Sequence, residues 1–298
     1  KAPTPTGTAE AMRMLILVTT LVASSVLTSC QARFCPAFDG QRALGLVEEQ
    51  VAFGPRVPGS GGSARTVEWL RTSLAGLGWQ TSVVPSGYRG IELHSVVARR
   101  GSADRGRILI GTHYDTRPHA DRDPLTPDAP VPGADDGGSG TAVLLELARV
   151  LSQREDLPEV WLAFFDGEDS GNLNGWQWSA GASAFVAGMQ ELPQAAVIVD
   201  MVGDAHLRLP RERSSDPALT DEIWSIARNL GADAFVDEVD GAILDDHRPF
   251  LERRIPAVLI IDLDYKYWHT TADTPDKVSA ESLEQVGSVL QAWVLSRR

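Results

Sequence analysis

The chain has 298 residues, 43% of them hydrophobic and 22% charged, the balance of a globular protein with a sizeable core. With 40 acidic residues against 27 basic ones, its net charge is −13. No basic block exists to follow a phosphate backbone, so no nucleic-acid partner is expected, and an acidic surface is the simple explanation for most of the charge.

Near the N-terminus Arg13 precedes MLILVTTLVASSVLTSC, an apolar run too short to span a bilayer as a stable helix. A basic residue, a short apolar core and small residues before a cut site predict a secretory signal over residues 1–30. Translation is expected to start at Met12 or Met14, with residues 1–11 upstream of it. The ending Leu27-Thr-Ser-Cys30 resembles a bacterial lipobox, which implies a lipidated Cys30 as the mature first residue; the alternative is an ordinary signal in which Cys30 is incidental. The expectation is a secreted, periplasmic or cell-envelope protein that meets a membrane only through a lipid anchor at Cys30. The one other cysteine is Cys35, so neither a disulfide framework nor a cysteine-based metal site is available.

Residues 31–40 read as a tether, and residues 41–298 as a single catalytic domain. GQRALGLVEEQVAFG and SARTVEWLRTSLAGLG carry apolar residues at helical spacing and close on glycines that suit helix C-termini. Six short runs then predict strands: QTSVVP, LHSVVARR, RILIGTHYD, VWLAFFD, AAVIVDMVG and AVLIIDLD. Several are apolar on both faces, as strands covered by helices on each side are. Helical segments alternate with them, namely TAVLLELARVLSQ, SAFVAGMQ, DEIWSIARNLG and ESLEQVGSVLQAWVLS. This alternation predicts a three-layer α/β/α sandwich.

In such sheets function collects where strands end. Four apolar strands run into charged or imidazole residues: RILIGT into His113 and Asp115, VWLAFF into Glu168 and Asp169, AAVIV into Asp200, and AVLII towards His269. The run AFFDGEDS places Asp166, Glu168 and Asp169 directly after a buried strand, a costly arrangement unless something positive compensates. Histidine and carboxylates at separate strand ends, without cysteine, suit a hydrolytic or Lewis-acid zinc centre. The candidate ligands are His113, Asp136, Asp169, Asp200 and His269. Asp136 lies in PGADDGGSG, where glycines let the backbone turn and aim a carboxylate inward; the alternative makes Asp135 or Asp136 a helix N-cap.

Taken in order, GTHYD, PGADDGGSG, FFDGEDSG, VDMVGD, DDHRPFL and WHTTADTPDKVS resemble the zinc aminopeptidase-like superfamily, and within it the glutaminyl cyclases. The similarity runs from FGPRVPGS near residue 53 to the C-terminus. It implies a central mixed sheet and one zinc per chain held by Asp136, Asp169 and His269, with His113 and Asp200 either vestigial or ligands of a second metal. It further implies that Glu168 shuttles a proton, with Asp200 and Asp245 hydrogen-bonded beside it. Many relatives carry Glu where this chain has Asp169, so the ligand arm here is one methylene shorter. The implied reaction is cyclisation of N-terminal glutamine on a peptide or protein to pyroglutamate, with release of ammonia. Zinc would polarise the γ-carbonyl while the α-amine of the same residue attacks it.

Trp268, Trp176 and Trp178 are expected to wall the substrate pocket, with ordinary core packing as the alternative for Trp178. Asp115 is expected to hydrogen-bond His113, and His247 to orient Asp245 or simply to pack. Asp166 and Asp204 are expected to brace loops, and His119 and His206 to lie on the surface. Two rivals share the fold: an aminopeptidase with two metals, in which Glu168 would deprotonate a water, and a non-catalytic binding lipoprotein.

Overall fold

A computed structural model of the chain describes Lys1 and residues 36–297. The chain divides into two units, Lys1–Phe34 and Cys35–Arg298, and all described residues but Lys1 belong to the second. The expected signal, Cys30, Cys35 and the first half of the expected tether lie outside the described residues. Residues 36–40 are not tether. Phe38 is buried against Gly287, where an added Cβ would lie 2.2 Å from the ring, and Asp39 caps the first helix by accepting from Arg42 N at 3.0 Å. Among the described residues no helix is long and apolar enough to cross a membrane.

The elements in chain order are α1 (Gly40–Val51), α2 (Gly61–Gly76), β1 (Gln80–Tyr88), β2 (Ile91–Arg100), β3 (Ser102–His113), α3 (Gly138–Leu151), β4 (Pro158–Phe165), α4 (Ala180–Gly188) and β5 (Ala195–Asp200). There follow β6 (Leu209–Arg211), α5 (Pro217–Leu230), β7 (Phe235–Val239), α6 (Arg248–Glu252), β8 (Ala257–Ile261), a 3₁₀ turn (Pro275–Lys277) and α7 (Ala280–Ser296). The six expected strands form one sheet in the order β1-β2-β4-β3-β5-β8. β1, β2 and β4 pair antiparallel, whereas β4, β3, β5 and β8 run parallel, so the sheet is mixed. The two-stranded sheet of β6 and β7 was not expected, because three and five residues are too few for a readable alternation.

Strand alternation explains why these runs are apolar throughout. In β4, Val160, Leu162 and Phe164 point into one core while Trp161, Ala163 and Phe165 point into the other. Val197 and Val199 of β5, and Val258 and Ile260 of β8, join the first core; Ile198 and Leu259 join the second. Helices α1, α2, α3, α5 and α7 contribute to the first core, and α4 and α6 to the second. The result is the expected α/β/α sandwich, and its four parallel strands release their C-terminal ends along one edge.

Helix α3 sits close against that edge. An added Cβ at Gly140 would lie 2.2 Å from Thr112 Oγ1 and 2.9 Å from Val199 O, at the ends of β3 and β5. Gly140→Ala should therefore push the helix off the sheet and destabilise the fold by about 1–3 kcal/mol, despite the roughly 1 kcal/mol that alanine gains over glycine inside a helix. Thermal unfolding checks this, and a raised melting temperature would contradict it.

Candidate metal centre

The parallel strands deliver the site side chains. β3 ends on His113 and β5 on Asp200; β4 is followed by the loop carrying Asp166, Glu168 and Asp169; His269 follows β8 after a short excursion. Asp136 comes from the loop before α3. Gly137 caps that helix with φ 77°, and an added Cβ there would lie 2.5 Å from Asp115 O. Only glycine combines that left-handed turn with so close an approach. Neither Asp135 nor Asp136 is the N-cap.

Two groups of ligand atoms result, and Asp136 belongs to both: His113, Asp136 and Asp200 form one, and Asp136, Asp169 and His269 the other. His113 Nε2 lies 2.9 Å from Asp200 Oδ1 and 3.3 Å from Asp136 Oδ1. His269 Nε2 lies 3.0 Å from Asp169 Oδ1 and 3.7 Å from Asp136 Oδ2. All five residues are buried.

The second group passes a test of fit for a cation. Asp136 Oδ2, Asp169 Oδ2 and His269 Nε2 are buried without a hydrogen-bond partner, although they sit among each other. Such a cluster is expensive unless an ion satisfies it. Two carboxylates and an imidazole form a donor set suited to zinc, and three protein ligands leave a position open.

Neighbouring groups hold these donors in place. Asp121 Oδ1 lies 3.3 Å from His269 Nδ1, the carboxylate–imidazole arrangement that orients a metal-binding ring. Arg117 donates to the carbonyl oxygens of Asp169 and Gly171 at 2.9 and 3.0 Å and chelates Asp121. Asp115 Oδ1 and Oδ2 each accept, at 3.1 Å, from the backbone nitrogens of Glu168 and Asp169. Its carboxylate thus shapes the acidic loop, while His113 Nδ1 bonds the Asp115 carbonyl oxygen at 3.2 Å. Asp273 does the same for the other loop, accepting from Asp135 N at 2.9 Å and Asp136 N at 3.2 Å, and from Tyr265 OH at 2.7 Å. Arg56, fully buried, donates to the carbonyls of Tyr114, Pro132 and Gly133.

The crowding of acids shows in their ionisation. Burial opposes the charge of Asp136, but the His113 hydrogen bond and the charges of His113, His269 and Arg117 outweigh it and lower its pKa. Burial pushes the Glu168 carboxyl well above the usual range, with Asp245, Asp246 and Asp200 adding to the effect. Burial likewise lifts Asp245, Asp200 and Asp246 contributing, and raises Asp246 to about 7. His113 is lifted well above an ordinary histidine: burial disfavours its charge, yet Asp200, Asp115 and Asp136 prevail. Arg56 is lowered to about 10 by burial, against the pull of Asp273, Asp115, Asp136 and Asp169.

A cavity of about 240 Å³ opens over the second group, lined by Asp136, Glu168, Asp169, Asp200, Asp245 and His269 on its polar side. Trp178, Met201, Ile243, Leu244, Ile261, Leu263 and Trp268 supply its apolar side. Trp178 stacks on the His269 ring with centroids 6.2 Å apart, and Trp268 tilts against it at 4.1 Å. Trp176 is not in this lining; its ring packs on Tyr88 at 4.9 Å, outside the cavity. His247 makes no hydrogen bond to Asp245: its Nε2 faces Ser214 Oγ at 3.1 Å and Glu212 Oε2 at 3.4 Å, and its Nδ1 is buried without a partner. Asp200 faces His113 and Asp245 accepts from Asp246 N, and both line the cavity together with Glu168. Asp166 braces its loop by accepting from His94 N at 2.9 Å, and Asp204 does so through His206 N.

Sequence reasoning assigned no role to Arg56, Arg117, Asp121, Asp246 or Asp273. Arg56 and Asp273 lie within FGPRVPGS and WHTTADTPDKVS, where a lone arginine between prolines was the available signal. Arg117 and Asp121 meet partners 52 and 148 residues away, which no local pattern marks.

A mixed-sheet α/β/α sandwich that gathers a shared carboxylate and two histidines at its parallel strand ends is the frame of a metal-dependent peptidase-like enzyme. Residues 95–294 match Peptidase family M28, and the chain belongs to that family. The glutaminyl cyclase of Tannerella forsythia superposes with a TM-score of 0.81 at 30% identity, over 87% of this chain and 99% of that one. A Zn-dependent exopeptidase from Parabacteroides distasonis superposes with a TM-score of 0.80, also at 30% identity, over 88% and 99%. Among curated proteins, the glutaminyl-peptide cyclotransferase of Bos taurus is 25% identical over 289 residues, 80% of this chain and 78% of its own.

Asp166 and Asp246 are both raised to about 7, burial being the first cause in each. Their unfolded values are near 3.9, so the folded chain binds these protons more tightly. The stability they contribute is fully present below about pH 4 and is lost as pH rises through 7. Metal-stripped protein should accordingly melt at a lower temperature at pH 7.5 than at pH 5.5; a rise across that window in calorimetry would contradict the assignment.

Proposed function

We propose that the protein cyclises N-terminal glutamine of peptides to pyroglutamate with release of ammonia, using one zinc held by Asp136, Asp169 and His269. The observation that carries this reading is the place of that group in the cavity. Asp136, Asp169 and His269 all line it beside Glu168, Trp178 and Trp268, whereas His113 of the other group is not in that lining, and three donor atoms of the first group are buried without a hydrogen-bond partner. Zinc bound there supplies Lewis-acid polarisation of an acyl oxygen.

The chain's own residues do the remainder. Trp178, Trp268 and Leu263 hold an uncharged side chain against the polar side of the cavity and keep water from it. Glu168 faces the same space, with Asp200 and Asp245 also in its lining. It takes the proton from the α-amine as that nitrogen attacks the γ-carbonyl of its own residue, and returns it to the departing ammonia. The attack is intramolecular, so holding the residue folded back removes much of the entropic barrier. Asp115 fixes Glu168 by gripping its backbone nitrogen.

A second reading is an aminopeptidase with two metals. It is favoured by one feature: Asp136 directs Oδ1 towards His113 and Oδ2 towards His269, as a bridging carboxylate does. A peptide beginning Gln and one beginning Leu separate the readings by mass spectrometry. The first should lose only ammonia, with every peptide bond intact, and the second should be inert. Free leucine from the second, with the first shortened by one residue, makes the enzyme an aminopeptidase.

Glu168→Gln should lower turnover by about 10²–10⁴-fold, as removal of a general base does, while zinc content stays near one per chain. Asp169→Ala should lose the metal, and Asp200→Asn should keep it. Elemental analysis alongside ammonia release checks all three. Near-native turnover in Glu168→Gln would remove Glu168 from proton transfer.

A further inference from the structure

We propose that the surface cavity beyond Trp268, bearing Arg122 and Lys266, is the subsite for the second and third residues of the substrate and selects an acidic side chain there. This rests on the proposed function insofar as it places a peptide's N-terminal residue in the catalytic cavity. That cavity, about 240 Å³, is smaller than the roughly 300–1,000 Å³ of pockets that enclose larger ligands. It therefore takes one residue, and the rest of the peptide must leave it.

A second cavity adjoins it. Leu263 and Trp268 line the catalytic cavity and also a neighbouring one of about 540 Å³, so these two side chains form the ridge between them. Consecutive Cα atoms are about 3.8 Å apart, so the second or third residue of an extended peptide clears a ridge one side chain wide. Leu263 is 37% exposed and offers apolar support at the crossing.

Beyond the ridge the chemistry changes sign. The catalytic side is lined by carboxylates, whereas the second cavity carries Arg122 and Lys266 against one carboxylate, Asp264. The Arg122 guanidinium lies over the Trp268 ring at 4.1 Å, and Arg122 N donates to His269 O at 3.3 Å, which ties this cation to the ligand-bearing segment. Lys266 Nζ lies 5.5 Å from the Tyr267 ring. Among the described residues neither cation is ion-paired, although nearby Arg117, Arg208 and Lys277 all are. In a chain of net charge −13, two adjoining cations without counter-charges at the mouth of the site are placed to receive a carboxylate from outside.

The test compares Gln-Glu-Ala-amide, Gln-Ala-Glu-amide, Gln-Ala-Ala-amide and Gln-Lys-Ala-amide with the zinc-loaded protein and with the double variant Arg122→Gln/Lys266→Gln. Exposed ion pairs are weak individually, so at low salt the better glutamate peptide should exceed the lysine peptide in kcat/KM by about three- to tenfold, mainly through KM. That ratio should shrink at roughly 0.3 M salt, where screening shortens the reach of exposed charges, and should vanish in the double variant. Equal kcat/KM across the four peptides, a lysine preference through Asp264, or a glutamate preference that survives the double substitution would overturn the subsite. If the first residue is released instead of ammonia, the proposed reaction fails, yet the same ratios still decide the subsite. If no peptide turns over, their Kd values by calorimetry, ranked the same way, decide it.

Discussion

The constraint on which this structure depends is the confinement of many carboxylates in one dry region. Asp115, Asp135, Asp136, Asp169, Asp246 and Asp273 are all buried along the carboxyl edge of four parallel strands. Buried charge is tolerated only when it is paired, hydrogen-bonded or neutralised. The fold uses all three devices. Arg56 and Arg117 bring positive charge inside, backbone nitrogens of the two loops feed Asp115 and Asp273, and burial raises the pKa of Asp246 to about 7, favouring its neutral form. Among the atoms left without a partner are those of Asp136, Asp169 and His269, which lie close enough together to hold a cation.

The same economy of charge fixes the loops. His269 has φ 57°, a left-handed conformation costing on the order of 1–3 kcal/mol for a residue with a side chain. It persists because its surroundings leave little choice. Asp121 holds the imidazole from one side, and Asp123 grips Thr271 through its backbone nitrogen and hydroxyl two residues later. One stretch, residues 117–123, thus supplies Arg117 to the acidic loop, Asp121 to the histidine and Arg122 to the face of Trp268. Positioning of the metal ligands and shaping of the cavity mouth are one structural act.

Sharing of Asp136 ties the two groups of ligand atoms to one loop. Both groups of ligand atoms use its carboxylate, so the balance between one ion and two rests on whether His113 and Asp200 bond each other or a metal. The apolar wall of Trp178, Trp268 and Leu263 shapes the space that Glu168 faces.

The sequence by itself determined the sandwich, its six-stranded sheet and the residues at its strand ends. It could do so because two-faced burial writes continuous apolar runs, and a run that ends in His113, Glu168 or Asp200 marks the exit of a strand. Motif resemblance supplied the mixed sheet and the choice of Asp136, Asp169 and His269 from five candidate ligands. Tertiary structure alone decided the rest. Phe38 looked like tether until α7 offered a glycine beneath it; His247 looked like a partner of Asp245 until Ser214 and Glu212 took its Nε2; Trp176 looked like pocket wall until Tyr88 took its ring. Arg56, Arg117, Asp121 and Asp273 act across 52 to 148 residues of chain or against several acids at once. Electrostatic partnership depends on distance in space, and a linear sequence records that distance only for neighbours along the chain.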